Sequence, residues 1–262
     1  MKVVVTGCSS GIGRATCSAL VARGHEVIAT ARRPEMLVDL EVSDRRQLDV
    51  DSDESVAELF GSVGDVDAVV NNAGVGVRGP TESVPLKETE RIFNTNVFGA
   101  IRVMQAVLPG MRERRSGTVV NVTSVAAHVA LPLQGSYSAT KYALLALTEA
   151  ARLEVGHFGV RVLAVAPGFV DTSFVNAEYQ LDVPPYDELE RILQRSRATL
   201  DDAKGVSTPS LVAGVIADAI ESDDDSLVWP AGADAEMMFG ARESLDYAAF
   251  EAAMRQTVNL DW

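Results

Sequence analysis

Short apolar runs rich in β-branched residues alternate with longer stretches of helical periodicity along most of the chain. A short run of this kind, bounded by turn residues, predicts a strand, and apolar positions three and four apart predict a helix. The predicted strands are Val3–Thr6, Glu26–Thr30, Asp67–Asn71, Thr118–Thr123, Val160–Ala166 and Ser226–Trp229. The predicted helices are Arg14–Arg23, Ser52–Phe60, Leu86–Met111, Tyr137–His157 and Pro209–Glu221, followed by an acidic helical tail.

The predicted strands are apolar without regular alternation. Strands that are buried on both faces have this pattern, which is typical of parallel sheets covered by helices on each side. Helices that join parallel strands make right-handed crossovers. The sequence therefore predicts an α/β fold with a doubly wound parallel sheet of about seven strands in three layers, α/β/α. Because α/β chains of this length commonly form one unit, residues 1–262 are expected to be a single domain.

The pattern changes after Pro167, where a polar, proline-containing stretch continues to Gly205. This stretch is far longer than an ordinary connection between a strand and a helix. Long insertions in compact domains are commonly functional lids or disordered segments. We therefore expect residues 168–205 to form a lid over a substrate site.

Composition excludes several classes of protein. With 47% apolar and 23% charged residues among 262, the chain can fill a large core, unlike a disordered or collagen-like sequence. Its 37 acidic and 23 basic residues give a formal charge of −14, which repels nucleic acid.

No apolar run reaches the roughly 18 residues of a membrane helix. The first strand runs directly into a glycine loop, with no room for a cleavable signal, so a cytoplasmic protein is expected.

The two cysteines, Cys8 and Cys17, are nine positions apart in the glycine loop and the helix after it. Neither place calls for a disulfide or supplies a set of metal ligands. We expect free thiols in a reducing compartment and no metal site.

The segment TGCSSGIG, Thr6 to Gly13, stands immediately after a strand and immediately before a helix. Glycines at this junction allow a tight turn and close backbone approach, and the helix N-terminus offers N–H groups to a pyrophosphate. The spacing is G-x-x-x-G-x-G, which matches the general dinucleotide fingerprint imperfectly. A simple glycine-rich turn is the alternative interpretation.

At the end of the second strand, where a dinucleotide fold meets the adenosine ribose, the chain has Ala31, Arg32 and Arg33. An acidic residue here would accept hydrogen bonds from a 2′-hydroxyl, whereas guanidinium groups can bind a 2′-phosphate. The two arginines favour NADP(H) as the cofactor. Use of NAD(H) stays possible. The alternative is a pair of solvated surface arginines. Asp49 is expected to contact the adenine edge.

Tyr137 and Lys141 are four residues apart on a predicted helix, so their side chains project from the same face. A cation beside a phenol lowers the phenol pKa from its usual value near 10, as a general acid requires. Ser124 ends a strand thirteen residues upstream, at the edge where ligands bind in open α/β sheets. It could donate a hydrogen bond to a substrate oxygen, or simply cap a turn.

With these segments in order, the sequence resembles the short-chain dehydrogenase/reductase family, whose members have the Rossmann fold. The motifs that carry the resemblance are TGCSSGIG, NNAG at Asn71–Gly74, TNVFG around Asn96, NVTS ending at Ser124, YSATK at Tyr137–Lys141 and PGFVDT at Pro167–Thr172. They span residues 1 to about 172, and the similarity beyond them is looser.

The resemblance implies a catalytic tetrad of Asn96, Ser124, Tyr137 and Lys141. Tyr137 would transfer a proton to the carbonyl oxygen that Ser124 holds, while hydride leaves C4 of the nicotinamide. Lys141 would lower the pKa of Tyr137 and bind ribose hydroxyls, and Asn96 would position a water. The implied cofactor-binding residues are Thr6, Gly7, Ser9, Ser10, Gly11, Ile12, Gly13, Arg32, Arg33, Asp49, Val50, Asn72, Ala73, Gly74, Tyr137, Lys141, Pro167, Gly168, Val170 and Thr172. Many NADP-preferring relatives have a basic residue in place of Ser10, so here the preference rests on the two arginines.

The resemblance also implies a small-molecule carbonyl or alcohol substrate and a homodimer or homotetramer. Apolar side chains near the predicted pocket favour a bulky apolar substrate such as a steroid, retinoid or lipid, unless they are core or oligomer contacts. The expected substrate contacts are Ser124, Leu131, Tyr137, Phe169 and Phe174. A nucleotide-sensing regulator without catalysis and a sugar-nucleotide epimerase or dehydratase are the alternative functions. The first could dispense with Tyr137 or Lys141, and the second usually has a longer substrate domain.

Overall fold

The computed structural model describes residues 1–172, 179–180, 184–193, 195, 206–257 and 259–260. The strands are β1 (Lys2–Val5), β2 (Glu26–Ala31), β3 (Asp44–Gln47), β4 (Ala68–Asn71), β5 (Val77–Arg78), β6 (Gly117–Val122), β7 (Val160–Pro167), β8 (Tyr179–Gln180) and β9 (Val228–Ala231). The longer helices are α1 (Gly11–Ala22), α2 (Asp53–Val63), α3 (Leu86–Phe93), α4 (Gly99–Glu113), α5 (Gly135–Val155), α6 (Pro209–Glu221), α7 (Ala233–Ser244) and α8 (Tyr247–Thr257).

Seven strands form one parallel sheet in the order β3-β2-β1-β4-β6-β7-β9. The strand order reverses direction between β1 and β4, which makes this junction the topological switch point of the sheet. Open α/β sheets bind ligands in the crevice outside the carboxyl ends of the strands at such a point. The predicted doubly wound parallel sheet is therefore confirmed, and its geometry indicates where to look for a site.

Helices cover both faces of the sheet, and successive residues of β1 show how. Val3 and Val5 pack into a core with α1 and α6, while Val4 packs into a second core with α2, α4 and α5. All three valines are fully buried. Burial on both faces removes the polar positions that a strand with one solvated face would keep, which explains the continuous apolar run in the sequence.

Strand β3 is absent from the sequence prediction, although it completes the expected number of strands. Its residues, Asp44–Gln47, are all polar, and it pairs only with β2 at the edge of the sheet. Polar and charged side chains are common on edge strands, where they discourage pairing with another chain. Apolar periodicity therefore contains no signal for this strand.

The helix predicted over Leu86–Met111 is interrupted. A π-helical turn, Asn94–Phe98, separates α3 from α4. Such turns are rare and frequently mark functional sites. This one contains Asn96, which the resemblance places in the tetrad.

Parts of the predicted lid, residues 168–205, are described and contact the body of the protein. Strand β8 pairs with β5, and the Tyr186 hydroxyl donates to Glu82 at 2.8 Å. Arg78 forms an ion pair with Glu190 at 3.1 Å. Phe174 lies outside the described residues.

Within the described part of the chain, no helix combines the length and apolar character needed to cross a membrane.

Candidate active site

A cleft of about 400 Å³ opens at the carboxyl edge of the sheet, around the switch point. It extends from the glycine loop after β1 to the first turns of α5. Most of the residues predicted for the site line it, namely Gly7, Ser9, Ser10, Gly11, Ile12, Arg32, Asp49, Val50, Asn72, Ala73, Gly74, Ser124, Leu131, Tyr137, Lys141, Pro167, Gly168, Phe169, Val170 and Thr172. Thr6, Gly13, Arg33 and Asn96 do not line it.

The glycine loop brings the backbone close to neighbouring segments. Gly7 has φ +72°, and a Cβ there would lie 2.8 Å from the Cα of Ala73. A side chain would therefore strain the backbone and collide with the loop after β4. Because α1 begins at Gly11, its N-terminal turn faces the cleft. A helix N-terminus at this position favours an anion such as a phosphate.

Thr6 and Asn72 tie the glycine loop to the loop after β4. The Thr6 hydroxyl accepts the backbone N–H groups of Asn72 at 3.0 Å and Ala73 at 2.9 Å. The Asn72 amide donates in return to the carbonyl oxygens of Thr6 at 2.8 Å and Gly7 at 3.2 Å. Gly13 is buried, and a Cβ there would meet the Asn72 amide nitrogen at 2.4 Å. Thr6 and Gly13 thus determine the shape of the loop without lining the cleft themselves.

The two arginines after β2 occupy different places. Arg32 lines the cleft, whereas Arg33 does not, although both are exposed. Within the described residues, neither guanidinium has a hydrogen-bond or ion-pair partner. Of these two arginines, Arg32 is therefore the one placed to meet a phosphate bound in the cleft. Asp49 also lines the cleft, and its predicted contact with the adenine edge stays a prediction.

Sequence reasoning missed Asp51 and Thr95, which also line this end of the cleft. The Thr95 hydroxyl donates to Asp51 Oδ2 at 3.0 Å. Across the described residues, Asp51 Oδ1 is buried and has no hydrogen-bond partner. Asp51 could have been found from its position two residues after Asp49, but its polar surroundings resemble an ordinary loop.

Ser124, Tyr137 and Lys141 meet at the opposite end of the cleft. Ser124 is buried at the end of the β6 segment, and its hydroxyl accepts the Ala126 backbone N–H at 3.1 Å. Tyr137 and Lys141 are one turn apart on α5, with the lysine Nζ 5.7 Å from the centroid of the tyrosine ring. The structure therefore brings the three predicted side chains together.

Lys141 is 6% exposed, and its Nζ donates to the Val122 carbonyl oxygen at 2.9 Å. Burial removes water from the ammonium group and lowers the pKa of Lys141 to about 8. Because this value still lies above neutral pH, the side chain is mainly positively charged at pH 7. A buried cation beside a phenol stabilises the phenolate and thereby lowers the phenol pKa.

Asn96 is buried in the π-helical turn, and its side chain forms hydrogen bonds to other residues of the protein. Its Oδ1 accepts the Val75 N–H at 2.9 Å, and its Nδ2 donates to the Val75 carbonyl oxygen at 2.9 Å and to the Thr140 hydroxyl at 3.0 Å. Thr140 donates in turn to the Tyr137 carbonyl oxygen at 2.7 Å. Asn96 thus connects the loop after β4 to α5 near Tyr137. The implied role in positioning a water stays a prediction.

The cleft beyond Ser124 is mainly apolar. Val125, Val129, Leu131, Phe169 and Met238 line it. Arg78 and Gln134 also line the cleft. Neither Met238 nor Arg78 was selected from the sequence, because Met238 lies 66 positions after the last motif residue, Thr172, and Arg78 stands outside the NNAG motif that precedes it. Phe174, expected as a substrate contact, is outside the described residues.

The arrangement joins two chemical capabilities. One end offers backbone N–H groups at a helix N-terminus and a guanidinium group, which suit a phosphorylated nucleotide. The other end offers a phenol next to a buried cation and a hydroxyl, which suit proton transfer to an oxygen atom. One continuous cleft could therefore hold a nucleotide and a smaller reactant side by side.

Comparisons with known proteins agree with this geometry. The family model described as short chain dehydrogenase matches residues 1–182. The chain is 36% identical over 180 residues to 3-ketodihydrosphingosine reductase of Bacteroides thetaiotaomicron, and the match covers 66% of this chain and 65% of the reductase. It is 38% identical over 185 residues to human retinol dehydrogenase 8, covering 66% of this chain and 60% of that protein. The matches thus span less than two thirds of these two relatives.

Solved structures match over nearly the whole chain. A short-chain dehydrogenase from Streptomyces avermitilis has a TM-score of 0.84 and 35% identity, covering 98% of this chain and 97% of that one. A short chain dehydrogenase from Burkholderia cenocepacia, in complex with NADP, has a TM-score of 0.78 and 27% identity, covering 96% of each chain. The protein therefore belongs to the short-chain dehydrogenase/reductase family.

Proposed function

We propose that this protein reduces a ketone or aldehyde to an alcohol, reversibly, with NADPH as the favoured cofactor. The observation that carries the proposal is the meeting of Ser124, Tyr137 and Lys141 in a cleft that continues to the glycine loop. A nucleotide bound along the cleft would place its reactive end near the phenol. The related structure in complex with NADP supports the same use of the cleft.

The residues at the first end of the cleft fit a dinucleotide. The N-terminal turn of α1 and the backbone of Gly7 and Gly11 would hold the pyrophosphate, and Asp49 would contact the adenine. When bound, NADPH supplies the hydride that reduces the carbonyl carbon. Arg32 would bind the 2′-phosphate, because its guanidinium lines the cleft and lacks a partner within the described residues.

Each residue at the second end has a separate task. The Tyr137 hydroxyl donates a proton to the carbonyl oxygen as negative charge develops there, and Ser124 donates a hydrogen bond to the same oxygen. Lys141 stabilises the phenolate that the proton transfer leaves behind. In the direction of alcohol oxidation, the phenolate accepts the proton.

The substrate is proposed to be bulky and apolar, as a steroid, retinoid or lipid is. Support comes from the apolar wall of Val125, Val129, Leu131, Phe169 and Met238. An apolar pocket stabilises an apolar ligand in proportion to the surface that it removes from water. The names of two relatives, which refer to retinol and 3-ketodihydrosphingosine, are consistent with this class. Residues 168–205 are proposed to cover the substrate as a lid.

Replacing the catalytic acid tests the proposal directly. Tyr137→Phe keeps the ring and removes the transferable proton, so kcat for ketone reduction should fall by at least about 10²-fold while NADPH still binds. Tyr142→Phe is the matched control, because Tyr142 is 43% exposed on the same helix. Oxidation of NADPH is followed by absorbance. Near-normal turnover by Tyr137→Phe would contradict the assignment.

The cofactor preference should depend on Arg32 more than on Arg33. Arg32→Ala removes a charged hydrogen bond to the 2′-phosphate, and NADPH binding should weaken by about 1.5 to 3 kcal/mol with NADH nearly unaffected. Arg33→Ala is the control from outside the cleft and should have a smaller effect. Titration of both cofactors by fluorescence measures the difference. Equal losses for NADPH and NADH would show that Arg32 acts on the fold instead.

Lys141 should leave a signature in the pH dependence of stability. The pKa of Lys141 is about 8 in the folded protein against an ordinary value of 10.5. Between pH 8 and pH 10.5, Lys141 therefore carries a proton more often in the unfolded chain than in the folded protein. Over that range, the free energy of unfolding of the wild type should rise relative to Lys141→Met by up to about 3 kcal/mol. Below pH 8 the penalty for burying the charge is fully present. Urea unfolding from pH 7 to 10.5 measures both curves, and parallel curves would contradict the buried ammonium.

The apolar wall predicts a dependence on substrate size. Met238→Ala removes apolar contact from the cleft, so KM should rise more for bulky apolar ketones than for small ones, by about tenfold for a contact worth roughly 1.5 kcal/mol. Met237→Ala is the matched control, because Met237 precedes Met238 on α7, is 39% exposed and does not line the cleft. Steady-state assays with ketones of increasing size provide the comparison. A uniform change across the series would place the substrate elsewhere.

A further inference from the structure

A buried carboxylate lies behind the cleft without belonging to any of the predicted motifs. Asp234 stands in the first turn of α7 and is 5% exposed. It follows the residues 1–182 that the family model matches by more than fifty positions. Its side chain nevertheless reaches residues 168–170, which follow β7 and form one wall of the cleft.

The contact is a short hydrogen bond to the backbone. Asp234 Oδ2 accepts the Phe169 N–H at 2.6 Å. Phe169 lines the cleft, as do Gly168 before it and Val170 after it. A hydrogen bond to an ionised acceptor is stronger than one between neutral groups. Asp234 therefore holds this wall through its backbone, from the side that faces away from the cleft.

Two glycines leave space for the carboxylate. A Cβ on Gly168 would lie 2.1 Å and 2.2 Å from the two oxygens of Asp234. A Cβ on Gly232 would lie 2.8 Å from Oδ1 and 2.2 Å from the Ser207 hydroxyl, and Gly232 has φ +112°. Because both glycines make room for the same side chain, the wall and the start of α7 are shaped around it.

Backbone hydrogen bonds hold the rest of this wall. Gly168 donates to the Ala231 carbonyl oxygen at 3.2 Å, Asp171 donates to Ser207 at 3.0 Å, and Ser207 donates to Phe169 at 3.1 Å. The Phe169 N–H is different, because its acceptor is a side chain. A single substitution can therefore remove this support and leave the backbone pairing in place.

Burial of the Asp234 carboxylate lowers the stability of the fold. Burial of an ion requires compensation, and within the described residues Asp234 Oδ1 has no hydrogen-bond partner. The N-terminal dipole of α7 offsets part of this cost. A neutral side chain would avoid most of it, so stability alone accounts poorly for an aspartate here.

We propose that Asp234 is a positioning residue, which fixes residues 168–170 as the wall that contacts the nicotinamide end of the cofactor. The proposal rests on the proposed function, in which the adenosine end lies near Arg32 and the reactive end near Tyr137 and Ser124. The Ser124 hydroxyl lies 3.5 Å from the carbonyl oxygen of Pro167, the residue before this wall. Asp234 does not line the cleft. It acts through the Phe169 backbone.

Two substitutions of similar shape separate the hydrogen bond from the space that the side chain fills. Asp234→Leu keeps a branched side chain without an acceptor, and Asp234→Asn keeps an oxygen that can accept the Phe169 N–H. The probes are NADPH and adenosine 2′,5′-bisphosphate, which lacks the nicotinamide. Asp234→Leu should raise the Kd of NADPH by about tenfold or more and leave the Kd of the bisphosphate unchanged. Asp234→Asn should retain most of the NADPH affinity.

Circular dichroism and thermal unfolding establish that each variant is folded. Asp234→Ala provides a second variant without an acceptor, which needs no room for the leucine methyl groups. Equal losses for NADPH and the bisphosphate, or equal damage by leucine and asparagine, would overturn the positioning role. Unchanged NADPH binding by both Asp234→Leu and Asp234→Ala would also overturn it. Failure of the wild type to bind NADPH would instead contradict the proposed function.

Discussion

Parallel pairing of seven strands puts their carboxyl ends at one edge of the sheet, and each part of the cleft follows one of these ends. The glycine loop follows β1, Arg32 follows β2, Asn72 follows β4 and Ser124 follows β6. The wall at residues 168–170 follows β7. Residues far apart in the chain are thus brought together by strand register, and the function proposed here depends on that register.

A second layer of contacts holds these segments at the correct spacing. Thr6 and Asn72 join the loops after β1 and β4, Asn96 joins the loop after β4 to α5, and Asp234 supports the wall after β7. These side chains form hydrogen bonds to backbone atoms and lie beside or behind the cleft. Residues that touch the reactants can then keep fixed positions, which proton transfer over a short distance requires.

Much of this could be predicted from the sequence, and the exceptions have physical causes. Buried parallel strands and the glycine loop leave strong local patterns, so the sheet and the position of the loop were predictable. Strand β3 is polar, and its pairing depends on a neighbouring strand that periodicity does not show. Arg32 and Arg33 are equivalent in sequence, yet only the fold turns Arg32 towards the cleft. Met238 and Asp234 reach the site because β9 places α7 beside it, which no local motif indicates.

In the proposed function, one cleft brings the nicotinamide and a carbonyl together beside Tyr137. The most direct measurement uses NADPH carrying deuterium at C4 on the transferred face, with a bulky apolar ketone, in ordinary water. Mass spectrometry of the alcohol should find one deuterium on the carbinol carbon, because hydride passes directly between the two molecules and only the hydroxyl proton comes from the enzyme and solvent. An alcohol without deuterium, or deuterium lost to water, would contradict the account.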